Sequence, residues 1–346
     1  MNKIGDKEMA KMNMKVVASV AVCAALFGCA TAPDAAVEGC CCESAAACTA
    51  CAKCSIQGVW GMKLPYAELS AGWLKVDGQE VKFLWRWASP FKVDKPVMTA
   101  NSVSFKMPAG EGRTRNFTFT AKGNQLAGVE VIKDKDGKVE STAEFAGYRI
   151  PPVGPAPELS AAVYGAPIDL FEDGLDGWES MSETAHFGWS FKDGVLSNRI
   201  DHNAKNGNAN LISKRADFFD FRLSYDVRVL PGCNSGVYLR GRYEIQVIDS
   251  FGRPVDCHNM AAFYGRITPS VAAERKANEW QHVDVTLYKR HVTVVLNGVK
   301  IIDNKPIEGV TGGALDANEF VPGPIYLQGD HSDADYKNVF LTPILR

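Results

Sequence analysis

From residue 55 onward, hydrophobic and polar positions alternate along the chain in short runs. Side chains two apart on a strand share a face, so this alternation predicts half-buried strands. Between residues 55 and 150 the runs are GVWGMKL, AGWLKV, VKFLWRWAS, SVSFKM, RNFTFTA, QLAGVEVI and AEFAGYRI, separated by Gly, Asn and Asp-Gly turns. Short strands at even spacing predict a small β-barrel or β-sandwich. From residue 167 the pattern resumes in PIDLF, WSFKDGVLSN, ANLISK, FRLSYDVRVL, SGVYLRGRYEIQVID, AAFYG, WQHVDVTLYK, HVTVVLNGVKIID, PIYLQG and YKNVFLTPI. No heptad or long helical period interrupts it. The prediction is an all-β chain whose larger, C-terminal part is a two-sheet jelly roll.

The segments between and before these regions have their own character. Residues 151–166, PPVGPAPELSAAVYGA, hold Pro151, Pro152, Pro155 and Pro157 and predict an extended linker between two domains. Residues 1–29 have the form of a targeting sequence: Lys3, Lys7, Lys11 and Lys15, then an apolar run from Val16 to Leu26 too short to span a bilayer as a lone helix. The run closes on Leu26-Phe27-Gly28-Cys29, which resembles a bacterial lipobox with an unusually bulky Phe27. That resemblance implies cleavage before Cys29, lipidation of its thiol and a lipid-anchored protein of the cell envelope, in the periplasm or at the outer membrane. An unlipidated secretion signal is the other reading. Residues 30–54 are Ala-rich and carry Cys40, Cys41, Cys42, Cys48, Cys51 and Cys54. Export favours disulfides or free thiols on a tether over a metal site, because the supporting histidine and turn pattern are missing.

Charge narrows the partners. Lys plus Arg total 38 against 40 Asp plus Glu, a net charge of −2, which disfavours nucleic acid. The opening Gly58-x-Trp60 has a lipocalin-like flavour, and Trp73, Trp85 and Trp87 have either a core-filling role or a place on a sugar platform.

The candidate chemistry lies between Gly236 and Asp249. Read as one strand, this stretch places Val237, Leu239, Tyr243, Ile245 and Val247 on a core face, and Arg240, Arg242, Glu244 and Gln246 in an unbroken polar row. Two readings stand: the floor of a polar cleft, or a solvated face whose ion pair contributes little.

Several motifs, in order, closely resemble the 3-keto-disaccharide hydrolase domain family. They are Ile168-Asp169-Leu170-Phe171 with Gly177-Trp178, Lys192-Asp193-Gly194-Val195-Leu196, Asn234 through Gln246, Tyr264-Gly265, Asn278-Glu279-Trp280-Gln281, Leu296-Asn297-Gly298, and Pro322-Gly323-Pro324-Ile325 through Leu327-Gln328-Gly329-Asp330-His331. The resemblance covers residues 167–346 and implies a concanavalin-like jelly roll. One departure is Ser332-Asp333-Ala334-Asp335, inserted where relatives run from Asp-His and Gly into the last strand.

The resemblance also implies a reaction: cleavage of glycosides whose sugar carries a ketone at carbon 3, supplied by a sugar 3-dehydrogenase. The ketone acidifies the carbon 2 hydrogen, so a base can form an enolate and expel the leaving sugar from carbon 1, and water then adds to the enone. This needs a base, donors at the enolate oxygen and an acid at the leaving oxygen. The resemblance points to Glu244 and His331 as the acid/base pair, in unassigned order, with Arg240 gripping the enolate. Arg242, Gln246, Asp249, Tyr264, Gln328 and Asp330 are the substrate-binding candidates. Structural alternatives remain open: a turn cap for His331 with Asp330, a turn cap for Asp249, core packing for Tyr264. Cys233 and Cys257 flank the stretch and could pair. A divalent metal is chemically admissible at a carbonyl and hydroxyl pair, but no His-x-His or His-x-x-x-His spacing supports one in this domain. The alternative function is a non-catalytic carbohydrate-binding module. A classical glycosidase is disfavoured, since it would want two carboxylates flanking the bond.

Overall fold

In this computed structural model, residues 55–66 and 69–345 are described; the leader, Cys29 and the cysteine-rich tether lie outside them. The first sheet has nine antiparallel strands: β1 (Gly58–Lys63), β2 (Ala71–Asp77), β3 (Glu80–Trp85), β4 (Phe91–Lys92), β5 (Val97–Met98), β6 (Ser102–Pro108), β7 (Thr114–Lys122), β8 (Gln125–Lys133) and β9 (Val139–Ile150). Their order is β4-β3-β2-β1-β9-β8-β7-β6-β5. Phe83 on β3 and Phe105 on β6 have ring centroids 5.1 Å apart although β3 and β6 are far apart in that order. A flat sheet would hold them about 29 Å apart, six spacings of ~4.8 Å. The sheet therefore curls into a half-barrel around Trp60, Phe83, Phe117 and Phe119. Its edges β4 and β5 share no ladder, so aromatic packing rather than hydrogen bonding draws the two ends together. Arg149 lies 4.1 Å over the Trp60 ring and donates to the carbonyls of Ser55 and Gln57, fixing the start of β1 to the end of β9.

The jelly roll follows with β10 (Val163–Tyr164), β11 (Ile168–Asp169), β12 (Trp178–Ser180), β13 (Trp189–Lys192), β14 (Val195–Asn198), β15 (Leu211–Ser213), β16 (Phe221–Val229), β17 (Asn234–Leu239), β18 (Tyr243–Ile248), β19 (Gln281–Tyr288), β20 (His291–Leu296), β21 (Val299–Pro306), β22 (Tyr326–Leu327) and β23 (Ala334–Leu345). One sheet runs β13-β14-β23-β16-β19-β20-β21, with β10 and β11 also on β23; the other runs β12-β15-β22-β17-β18. Alternation does its work on β16, where Phe221, Leu223, Tyr225, Val227 and Val229 are buried and the residues between them are not. On β17 and β18, by contrast, both faces are buried. One face packs on the jelly-roll core through Val237, Ile245 and Val247. The other is covered by the 308–317 loop, which the half-barrel in turn covers.

The two sheets' core is continuous with the half-barrel: Ala71, Trp73, Leu84 and Ile150 join the jelly-roll cluster. Trp73 is thus an interface residue, stacked against Arg266 at 4.3 Å, and Trp85 belongs to the half-barrel core. Neither is a sugar platform; only Trp87 of the three is exposed, at 49%. The linker lies against the jelly roll, with the Pro151 and Pro157 carbonyls accepting from Arg290 and Asn304. Two further expectations are corrected. The segment AAFYG is no strand; Phe263 makes isolated bridges to Ile245 and Ile267. Cys233 and Cys257 are free thiols, not a disulfide.

Candidate active site

The stretch from Gly236 to Asp249 is a hairpin, not one strand. Arg240 and Gly241 both take positive φ, 54° and 66°, and the Arg242 N–H donates to the Leu239 carbonyl. Successive positive φ values make the tight turn that joins twisted antiparallel strands. The hairpin sets Gly236 opposite Gln246 and Tyr238 opposite Glu244. The polar row therefore breaks in half. Glu244 and Gln246 stay together on one face; the two arginines are turn residues.

Both arginines are occupied structurally. Arg240 is 1% exposed, packs over Phe219 and Tyr243, and donates to the Tyr243 hydroxyl. Arg242 clasps Asp316 through two contacts of 2.9 Å and donates to the Arg240 carbonyl. Both guanidiniums are thus engaged by protein neighbours around the turn. The Asp249 carboxylate accepts the Gly232 N–H at 2.9 Å, in the 230–233 turn rather than the Ser250-Phe251-Gly252 turn that follows it.

Around Glu244 the packing is close. A Cβ on Gly236 would stand 2.6 Å from Glu244 Oε1, so only glycine leaves room for the carboxyl. The Glu244 N–H donates to Thr311 Oγ1, and its carbonyl accepts the Tyr264 N–H. Tyr326 on β22 neighbours Tyr238, and their rings stack at 3.9 Å. The Tyr238 hydroxyl lies 2.7 Å from Glu244 Oε2 and 2.9 Å from the Gly312 carbonyl. It has one proton and two acceptors before it. Both contacts are satisfied together only if Glu244 is protonated and donates to Tyr238, which donates to Gly312. The electrostatics agree: burial pushes the Glu244 carboxyl up to about 8, against opposing contributions from the Tyr238 hydroxyl and His331.

The histidine lies in the loop after β22. His331 Nδ1 is 2.6 Å from Asp330 Oδ1, and both residues are close enough for their charges to act on Glu244. The departure Ser332-Asp333-Ala334-Asp335 anchors this loop. Ser332 Oγ exchanges hydrogen bonds with the Asn234 backbone, Asp333 accepts the Ile200 N–H, and Asp335 binds Arg199 and Arg228. The Gln328 N–H donates to the Gly236 carbonyl. The side-chain oxygens of Gln328 and Asn234, near Gly236, are buried without a hydrogen-bond partner. Acceptors of this kind suit a ligand rich in hydroxyl donors.

Across the sheet, Tyr264 borders Glu244 on the far side from β17. Burial raises its hydroxyl to about 12, with the Glu244 charge adding and a Ser89 hydrogen bond opposing. His258 meets Tyr264 edge-on at 5.3 Å and Ser89 Oγ at 2.7 Å. Of the other histidines, His291 is buried and His282 binds Asp226. Among the described residues, no group of three or more His, Cys, Asp or Glu gathers as metal ligands.

Sequence reading missed Tyr238, Tyr326, Thr311, Ser89 and Asn234. Tyr238 and Asn234 were within reach, since both share the parity of Gly236, Glu244 and Gln246. A cleft of about 700 Å³ opens at the linker beside Pro151, Val153 and Arg290. The Glu244 face instead holds the coupled titratable groups, which matter more for chemistry than volume does.

The two-sheet jelly roll thus gathers a buried acid, a histidine within electrostatic range of it and two unpartnered buried acceptors on its smaller sheet. The chain belongs to the 3-keto-alpha-glucoside-1,2-lyase-like domain family, whose model matches residues 166–342, just over half of its length. Among solved structures, a Parabacteroides distasonis protein proposed to be a glycosyl hydrolase is similar at 26% identity, covering 54% of this chain and 92% of its own, with a TM-score of 0.40. The carbohydrate-binding module CBM66 of Bacillus subtilis is similar at 15% identity, covering 47% and 93%, with a TM-score of 0.31. A Bacillus licheniformis β-glucanase follows at 11%, covering 55% and 100%, with a TM-score of 0.34. A search of curated proteins finds no match to this chain.

Proposed function

We propose that this chain cleaves 3-keto-glycosides, disaccharides included, by 1,2-elimination, with His331 as base and Glu244 as acid. The observation that carries the assignment is Glu244 itself: a fully buried carboxyl kept neutral near pH 7, within range of a histidine. With its Nδ1–H given to Asp330, the His331 ring has Nε2 as its basic nitrogen. His331 takes the proton from carbon 2, and the C–H electron pair becomes the C1=C2 bond. The C1–O bond breaks, and the leaving oxygen takes the proton of Glu244. The products are an enone sugar and a free alcohol. Water adding across the double bond would then regenerate a 3-keto sugar, so that the net change is hydrolysis. Gln246, Gln328 and Asn234 read hydroxyls around the reacting ring, and Tyr264 borders the ring that departs.

The substrate must come from an oxidation at carbon 3, which a sugar 3-dehydrogenase of the same pathway would provide. The Cys29 lipid anchor would hold both steps in the cell envelope; labelling with a fatty acid, lost on Cys29→Ser, tests it.

The central test uses a 3-keto disaccharide deuterated at carbon 2. Elimination discards the deuterium, and the enone absorbs in the ultraviolet. A product that keeps its deuterium would refute elimination, and equal turnover of unoxidised disaccharide would refute the substrate class. Saturable binding of sugar without turnover would favour a carbohydrate-binding module.

A further inference from the structure

The half-barrel reaches the site through the turn after β3. Arg86 and Ala88 take positive φ, 64° and 61°, and this turn folds residues 86–90 onto the jelly roll. The Gly313 N–H donates to the Arg86 carbonyl, and a Cβ on Gly312 would collide with the Ala88 backbone at 2.2 Å. Gly312 is the residue whose carbonyl meets the Tyr238 hydroxyl beside Glu244. Ser89 goes further. Its Oγ would touch a Cβ on Gly265 at 2.4 Å, it meets His258 Nε2 at 2.7 Å, and it hydrogen-bonds Tyr264.

The order across the sheet decides what this wall faces. Tyr326 and Gln328 lie on and just after β22, Gly236 on β17, Glu244 on β18, and Tyr264 beyond β18's edge. His331 belongs to the first side, Ser89 to the last, and Glu244 lies between them. Three strand spacings span about 14 Å, comparable to the length of a disaccharide. The acid delivers its proton to the bridging oxygen, so the ring being deprotonated lies toward His331 and the departing ring toward Tyr264 and Ser89. Two residues before Ser89 on the same turn, Trp87 has one ring face against Arg86 at 4.9 Å and remains 49% exposed. Its other face offers the flat apolar surface on which pyranose rings pack.

We propose that the N-terminal half-barrel supplies the subsite for the leaving sugar, with Trp87 as its stacking platform and Ser89 fixing Tyr264 as its wall. This rests on the elimination reading above. The test compares kcat/KM of the full chain for a 3-keto disaccharide and for methyl 3-keto-glucoside, whose leaving group is too small to reach Trp87. Trp87→Ala should lower the disaccharide's advantage about tenfold, the worth of one stacking contact, mainly through KM. Trp87→Phe should restore most of it, which a purely structural role would not require. A wild-type chain active on both substrates, with an unchanged ratio in Trp87→Ala, would overturn the subsite alone. A wild-type chain inactive on both would overturn the elimination reading and the subsite with it.

Discussion

Replacing Glu244 by Gln removes one ionisable proton and keeps the shape. The amide can donate to the Tyr238 hydroxyl as the protonated acid does, leaving the Tyr238–Gly312 contact intact. Burial raises the carboxyl from 4.5 to about 8, so the folded chain binds this proton more tightly than the unfolded chain. The sign follows. Below pH 4.5 the group is neutral in both states and costs nothing. As pH rises, the unfolded chain ionises and the folded chain does not, so stability falls by about 1.4 kcal/mol per pH unit until about pH 8. The ceiling is about 5 kcal/mol. Glu244→Gln abolishes this loss. Wild type and variant should melt together near pH 4.5 and diverge above it, the variant gaining on the order of 10 °C by pH 8.5. Turnover should fall ~10²–10⁴-fold, the usual contribution of a positioned acid. Melting curves of the two proteins from pH 4 to 9 make the comparison. A constant gap across that range would show that Glu244 is not held neutral, and the acid role would fail with it.

Other consequences are open to measurement. In wild type, kcat/KM should decline above about pH 8 as Glu244 loses its proton, and a profile flat to pH 10 would exclude it as the acid. Gly236→Ala pushes a methyl to within 2.6 Å of Glu244 Oε1; kcat should drop at least tenfold, with a stability loss of about 1–3 kcal/mol, and an unchanged kcat would refute the close packing. Arg242→Ala frees Asp316 and strips donors from the turn; the melting temperature should fall while KM stays within twofold, whereas a large rise in KM would return Arg242 to the substrate.

Period-two alternation made most strands legible, because on β16 every second side chain enters the core. What failed was continuity. Arg240, Arg242, Glu244 and Gln246 have the spacing of a single strand, and the glycine between the arginines was the only sign of a turn. Parity survives a hairpin of this register, so Glu244 and Gln246 were placed together correctly while the arginines were not. His331 and Asp330 were legible as a local pair. Ser89 and Thr311 were not, since they meet the site through contacts more than sixty residues away in sequence, and alternation says nothing about which loops meet.

The 308–317 loop has a consequence for protein engineering. Thr311 and Gly312 hold the acid from one side while Trp73 and Ala88 press on the loop from the other. The stretch that defines the family is therefore not a portable cassette. Excised at the proline-rich junction, it would expose greasy surface that Trp73 and Ile150 now cover, and a chimaera with a foreign partner would have to recreate that seam before its chemistry could work.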